Sequence, residues 1–113
     1  GTDMEVIIDL GQNTTFSNIE TTFFQYYLSW IVLPTSVSYA ISDDGENFTE
    51  LANLTHNIPL MREGKFKHPF SFEKETIKAK YLKVSAKTVG KLPQEHPAAG
   101  SDAWIFVDEI IIN

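Results

Sequence analysis

The stretch Ala98-Ala99-Gly100-Ser101-Asp102-Ala103-Trp104-Ile105-Phe106-Val107-Asp108-Glu109-Ile110-Ile111-Ile112 sets a small-residue loop against a long apolar strand. Trp104 stands at the mouth of that strand, and two adjacent carboxylates lie inside it. Its apolar content reads as a buried strand. Side chains on a strand alternate between faces, so Asp108 and Glu109 point opposite ways and cannot flank one bond as an acid–base pair. Alternation also places Trp104 on the same face as Phe106, a pattern that by itself favours core packing.

Upstream, the pattern is that of short strands and turns. Met4, Val6, Ile8 and Leu10 share one face at period two, and Gly11-Gln12-Asn13 turns the chain. Residues 16–28 are rich in Phe, Tyr and Thr, which suits a long, bent strand. Trp30 sits in a loop before Pro34. Val37, Tyr39 and Ile41 alternate with Ser and Ala in the cleanest half-buried strand, 36–42, and Asp43-Asp44-Gly45-Glu46-Asn47 forms a tight turn. Phe48–Ala52 is a short strand, and 55–64 a loop with Pro59 and Gly64. Phe66, His68, Phe70 and Phe72 alternate through Pro69, which marks an edge or a bulge. Lys74–Thr76 turns into 78–87, where Leu82, Val84 and Ala86 point inward. Residues 88–102 make a long loop. No segment prefers helix; 17–29 is too aromatic and β-branched. Seven or eight short strands imply an all-β sandwich or barrel within one domain, 1–113.

The totals narrow the function. A chain of 113 residues with 42% hydrophobic content holds a core. Nine basic against fifteen acidic residues give a net charge of −6, which argues against nucleic acid and against an anionic membrane surface. No apolar run reaches the ~20 residues of a membrane helix, and no signal peptide is recognisable. The absence of cysteine excludes thiol catalysis and thiolate metal sites. His56, His68 and His96 show no metal-ligand spacing, and no Ser-His-Asp arrangement can be built, so the chain is not expected to be an enzyme.

Four patches carry a family likeness. Met4-Glu5-Val6-Ile7-Ile8-Asp9-Leu10-Gly11 resembles an opening strand ending in Asp-Leu-Gly. Leu33-Pro34, Val37 and Ser42-Asp43-Asp44-Gly45-Glu46-Asn47-Phe48 resemble a central Pro-x-x-Val and Ser-x-Asp-Gly-x-x-Phe pattern. Ala79-Lys80-Tyr81-Leu82-Lys83-Val84 is similar to Ala-Arg-Tyr-Ile-Arg-Val, and Trp104 to Ile110 to a closing Trp-x-x-x-Asp-Glu-Ile. In this order they resemble the coagulation factor 5/8 type C, or discoidin, domain. The subtype it most resembles is the one appended to bacterial β-N-acetylhexosaminidases (chitobiases), and the loop 90–100 adds to that likeness.

The resemblance implies a galactose-binding-like jelly-roll β-sandwich acting as a non-catalytic accessory module. It implies a carbohydrate partner of the N-acetylhexosamine or galactose type, a parent glycoside hydrolase, no membrane insertion, and an extracellular or periplasmic bacterial setting. Relatives carry a further N-terminal strand and loop that supply calcium ligands, completed by a Glu of the last strand. Only Gly1-Thr2-Asp3 precede the first strand here, so Glu109 is expected as an isolated remnant of that site with no bound calcium. A backbone-bonding role is expected for Glu109, and a cap of the 88–102 loop for Asp108.

Neutral sugars are held by aromatic faces and a few fixed hydrogen bonders. The resemblance gathers loops at one end of the sandwich, which makes Trp30, His96 and Trp104 the candidate platform. Asn57, Arg62, Lys91 and Gln94 are the candidate polar partners. The rival readings are a structural module packed on a catalytic domain and a protein–protein adhesion domain. Exposure of both tryptophans at one end favours binding; burial of both indoles favours the structural role. Sequons at Asn13, Asn47 and Asn53 are coincidental in a bacterial chain.

Overall fold

The computed structural model describes residues 2–113. Strand β1 runs Met4–Gln25, followed by a 3-10 turn at Tyr27–Ser29, β2 at Ser36–Ser42, β3 at Thr49–Thr55, β4 at Phe66–Lys87 and β5 at Phe106–Ile112. All pairings are antiparallel, in the order β3-β2-β4-β1-β5. The chain is all-β, as its period-two patterns imply, but with five strands rather than seven or eight.

The difference lies in two 22-residue strands. Leu10–Asn13 of β1 face only Lys80 of β4, and Ser17 faces Lys74–Thr76. The turn signals at 11–13 and 74–76 are therefore bulges, in which the excess residues loop out while the ladder continues on both sides. Gly11 takes a φ of 85° there, and its N–H donates to Asp9 Oδ1 at 2.8 Å.

The bulges divide the sheet into two halves. In one, β3 and β2 lie beside residues 81–87 of β4 and the start of β1. In the other, the start of β4 pairs with the end of β1, and β5 closes the edge. Val37, Tyr39, Leu82 and Val84 of the first half share one core with Ile19, Phe23 and Phe70 of the second. The Tyr39 hydroxyl spans that core. It donates to the Phe70 carbonyl at 2.7 Å and lies 2.8 Å from the Thr21 hydroxyl. One sheet, folded over at its bulges, thus makes a discoidin-like β-sandwich.

The reading of the final strand as buried is overturned. β5 is an edge strand, Phe106 and Val107 are exposed, and no residue of it is fully buried. Its ladder to β1 breaks at Asp108, which is skipped between the pairs Thr22–Glu109 and Phe23–Val107. A bulge and two carboxylates on an edge discourage pairing with another chain. Asp108 does not cap the 88–102 loop; its carboxylate lies 3.2 Å from Lys67 Nζ. Pro69, by contrast, sits where β4 pairs with β1 alone, an edge position that tolerates a missing N–H.

Candidate binding end

A second small cluster of Val32, Leu92 and Ala103, backed by Tyr27, Leu60, Val89 and Ala98, lies under the loops at one end. Gln25 sits beneath them, buried and fully bonded. Its Oε1 accepts from Leu33 N–H at 3.0 Å, and its Nε2 donates to the carbonyls of Leu60 at 3.1 Å and Pro59 at 3.4 Å. One amide thereby ties the 26–35 segment to the 55–64 loop.

The 88–102 loop is a closed hairpin. Leu92 N–H donates to Ser101 O at 2.8 Å, Gly100 N–H to Leu92 O at 3.1 Å, and Ala103 N–H to Gly90 O at 2.8 Å. Lys91 and Asp102 pair at its base, and the Lys91 ammonium is the largest influence holding the Asp102 carboxyl below its usual range.

This hairpin delivers Trp104 beside Trp30. The Trp104 N–H donates to Trp30 O at 2.8 Å, and Val32 N–H donates to Trp104 O at 3.1 Å. Both indoles face solvent, Trp30 at 40% exposure and Trp104 at 56%. The core reading of Trp104 fails because Ala103, not Trp104, takes the inward position. Asp102, Trp104 and Phe106 then project together on the other side, as period two requires. Phe106 and Leu28 are also more than half exposed. Phe24, opposite Phe106 in the ladder, meets its ring edge-on at 6.0 Å. Leu28, Phe24, Phe106 and Asp102 were not singled out as site residues from sequence; the Asp-x-Trp-x-Phe spacing around Trp104 is the signal that finds two of them, Asp102 and Phe106.

The remaining candidates sort by their contacts. His96 is not on the surface: it is 4% exposed, and both ring nitrogens bond to backbone groups of Tyr27 and Ala98. It can hold the loop but offers no free face to a ligand. Gln94 is exposed on the same hairpin, and Lys91 is exposed at its base. Arg62 lies 4.2 Å over the Phe66 ring, and Asn57 is exposed in the 55–64 loop. Neither is joined to a tryptophan by a hydrogen bond, ion pair or ring contact among the described residues.

Glu109 is exposed on the edge strand. Among the described residues no three His, Cys, Asp or Glu side chains gather to hold a metal.

The model of the F5/8 type C domain matches residues 1–108. The chain belongs to this family. F5/8 type C domains are in general non-catalytic modules that bind carbohydrates or other proteins. No individual curated protein matches the chain closely enough to refine that assignment. One end of this F5/8 type C domain exposes Trp30 and Trp104 on hydrogen-bonded backbone segments. It joins flat apolar rings to a polar pair on a backbone fixed by hydrogen bonds from three segments.

Proposed function

We propose that this domain binds carbohydrate through the Trp30–Trp104 end, as an accessory module of a secreted or periplasmic bacterial glycoside hydrolase of the β-N-acetylhexosaminidase type. The observation that carries the reading is the exposure of both indoles on adjacent, hydrogen-bonded backbone segments. Exposed rings stack on the C–H faces of a pyranose, and Lys91 and Asp102 offer a donor and an acceptor beside Trp104. A site this open gives affinities of roughly micromolar to millimolar. The module would then raise substrate concentration near a neighbouring catalytic domain.

The test is an NMR titration with N-acetylglucosamine, chitobiose and galactose. The expected result is movement of the Trp30 and Trp104 indole N–H signals. Stationary indole signals at about 10 mM of every sugar would sink the reading.

A second reading has its own support. Leu28, Trp30, Trp104 and Phe106 are all exposed and apolar. Clusters of this kind also mark protein contacts, so the same end suits packing against the parent catalytic domain. Loss of indole exposure in a chain carrying both domains, without sugar shifts in the isolated one, would favour that reading.

A further inference from the structure

Trp30 is the only non-glycine residue with a positive φ among the described residues, at 66°. A left-handed conformation is unfavourable for a bulky side chain, and it persists only where the surroundings impose it. Trp30 follows the 3-10 turn as its C-cap, and its N–H donates to the Tyr27 carbonyl at 3.0 Å. That same carbonyl oxygen accepts a second hydrogen bond, from Nε2 of His96.

The tautomer of His96 follows from its partners. The Ala98 N–H can only donate, and it meets Nδ1 at 2.9 Å, so Nδ1 carries no proton. The Tyr27 carbonyl can only accept, so Nε2 carries one. The ring is neutral, buried, and edge-on to Tyr27 with centroids 5.7 Å apart. A second proton would sit on Nδ1 and point at the Ala98 N–H, donor against donor. The imidazolium cannot keep this seat.

We propose that His96 is a positioning residue that holds Trp30 in its left-handed conformation, and with it the Trp30–Trp104 platform, only while its imidazole is neutral. Acidification releases the ring, frees the Tyr27 carbonyl from its second donor and loosens the hairpin that carries Trp104. The platform is set at neutral pH and relaxed in acid. Tyr27 faces the ring, Glu95 precedes it in sequence, and the Lys91–Asp102 ion pair closes the base of the same hairpin. His56 has the same kind of seat, with Nδ1 accepting from Ile58 N–H at 3.0 Å and Nε2 3.1 Å from Pro34 O. It staples the 55–64 loop, not the turn of Trp30, and serves as the control.

The consequence for ligands rests on the sugar-binding reading; the device itself does not. It is tested first without sugar, by tryptophan emission and by the Trp30 amide signal, titrated from about pH 7.5 to 5. Wild type is expected to show one step in both signals. H96Q keeps a donor for the Tyr27 carbonyl and does not titrate, so it should hold the neutral-pH signal throughout. H96A should give the acid-like signal at every pH, and H56Q should keep the wild-type step. Should H96A fail to fold, the imidazole 15N spectrum of wild type decides, with the Nε2–H tautomer expected at about pH 7.5. A Nδ1–H tautomer, an imidazolium at that pH, or an undiminished step in H96Q overturns the proposal. With N-acetylglucosamine added, binding should weaken about tenfold one pH unit below the midpoint, because only the neutral form is competent. If no sugar binds at any pH while the step persists, the sugar reading fails and the device stands. If sugars bind and no step is seen, the device fails alone.

Discussion

The backbone N–H of Trp104 donates to the carbonyl of Trp30 at 2.8 Å, which joins the last loop of the chain to its first. Neither indole takes part in that bond, so both rings stay available on a rigid base. A surface tryptophan whose backbone does the structural work can be truncated cheaply. Trp104→Ala is expected to change stability by less than about 1 kcal/mol, since the side chain is mostly exposed. Sugar binding should nonetheless be abolished, as read by urea midpoint and by NMR titration of the same variant.

Trp30 separates backbone strain from side-chain function. Trp30→Gly and Trp30→Ala both remove the indole and should both lose binding. Only glycine adopts a φ of 66° without steric cost. The glycine variant is expected to be more stable than the alanine variant by about 1 kcal/mol. Equal urea midpoints for the two would show that the left-handed seat carries no strain.

How far such features were legible in sequence depends on what period two encodes. Alternation correctly grouped Val37 with Tyr39, and Leu82 with Val84 and Ala86, all of which are buried. It also grouped Trp104 with Phe106. It did not say which parity faces inward, and in the segment leading into β5 the small Ala103 takes the inward place, packed with Val32 and Leu92. Gly11 and Lys74–Thr76 carried real turn chemistry, yet the chain bulges there instead of reversing. A local signal specifies φ and ψ but not whether the ladder resumes beyond it. The family motifs, spread over four strands, survive these errors because order along the chain does not depend on strand count. His96 was placed in the right loop from sequence. Its burial was not visible there, since Tyr27 and Ala98 meet it only through the fold.

Gln25 was not anticipated either, because it continues the inward parity of Ile19, Thr21 and Phe23 as a polar residue. Its amide oxygen accepts from the Leu33 N–H, and its amide nitrogen serves two loop carbonyls. Gln25→Leu keeps the volume and leaves the buried Leu33 N–H and two part-buried loop carbonyls without this partner. A loss of about 2–3 kcal/mol is expected from the urea midpoint. Hydrogen exchange should show the 26–35 segment and its neighbouring loop loosening first.

Tyr39 tests the contact between the two halves of the folded sheet. Burial is the largest cause pushing its hydroxyl above the ordinary phenol range, and the group stays protonated as a donor to Phe70 O. Tyr39→Phe should cost about 1–2 kcal/mol, chiefly through the carbonyl and Thr21 hydroxyl left behind. In a double-mutant cycle with Thr21→Val, the two losses should be less than additive, because the second substitution removes a group the first had already orphaned.

Acid should weaken the fold in two separable stages. His68 lies beside His56, with ring centroids 6.0 Å apart, and its imidazole is held below the ordinary histidine value of 6.5, first by desolvation and then by His56. The unfolded chain therefore takes up that proton first, and stability falls as the pH drops below about 6.5 until the folded-state value is passed. Asp44 acts lower. Its carboxylate accepts from the backbone N–H groups of Asn47 and Glu46, both at 2.8 Å, and from the Asn47 amide and Ser42 hydroxyl, which hold it well below the usual carboxylate range. That contribution is complete above the unfolded value of 3.8 and is lost as the pH falls beneath it. Urea midpoints measured from about pH 8 to 3 should show both stages. His68→Gln should shrink the upper one and leave the lower intact. Asp44→Asn should lower the midpoint at neutral pH and flatten the lower stage. An upper stage of unchanged size in His68→Gln would show that His68 does not carry it.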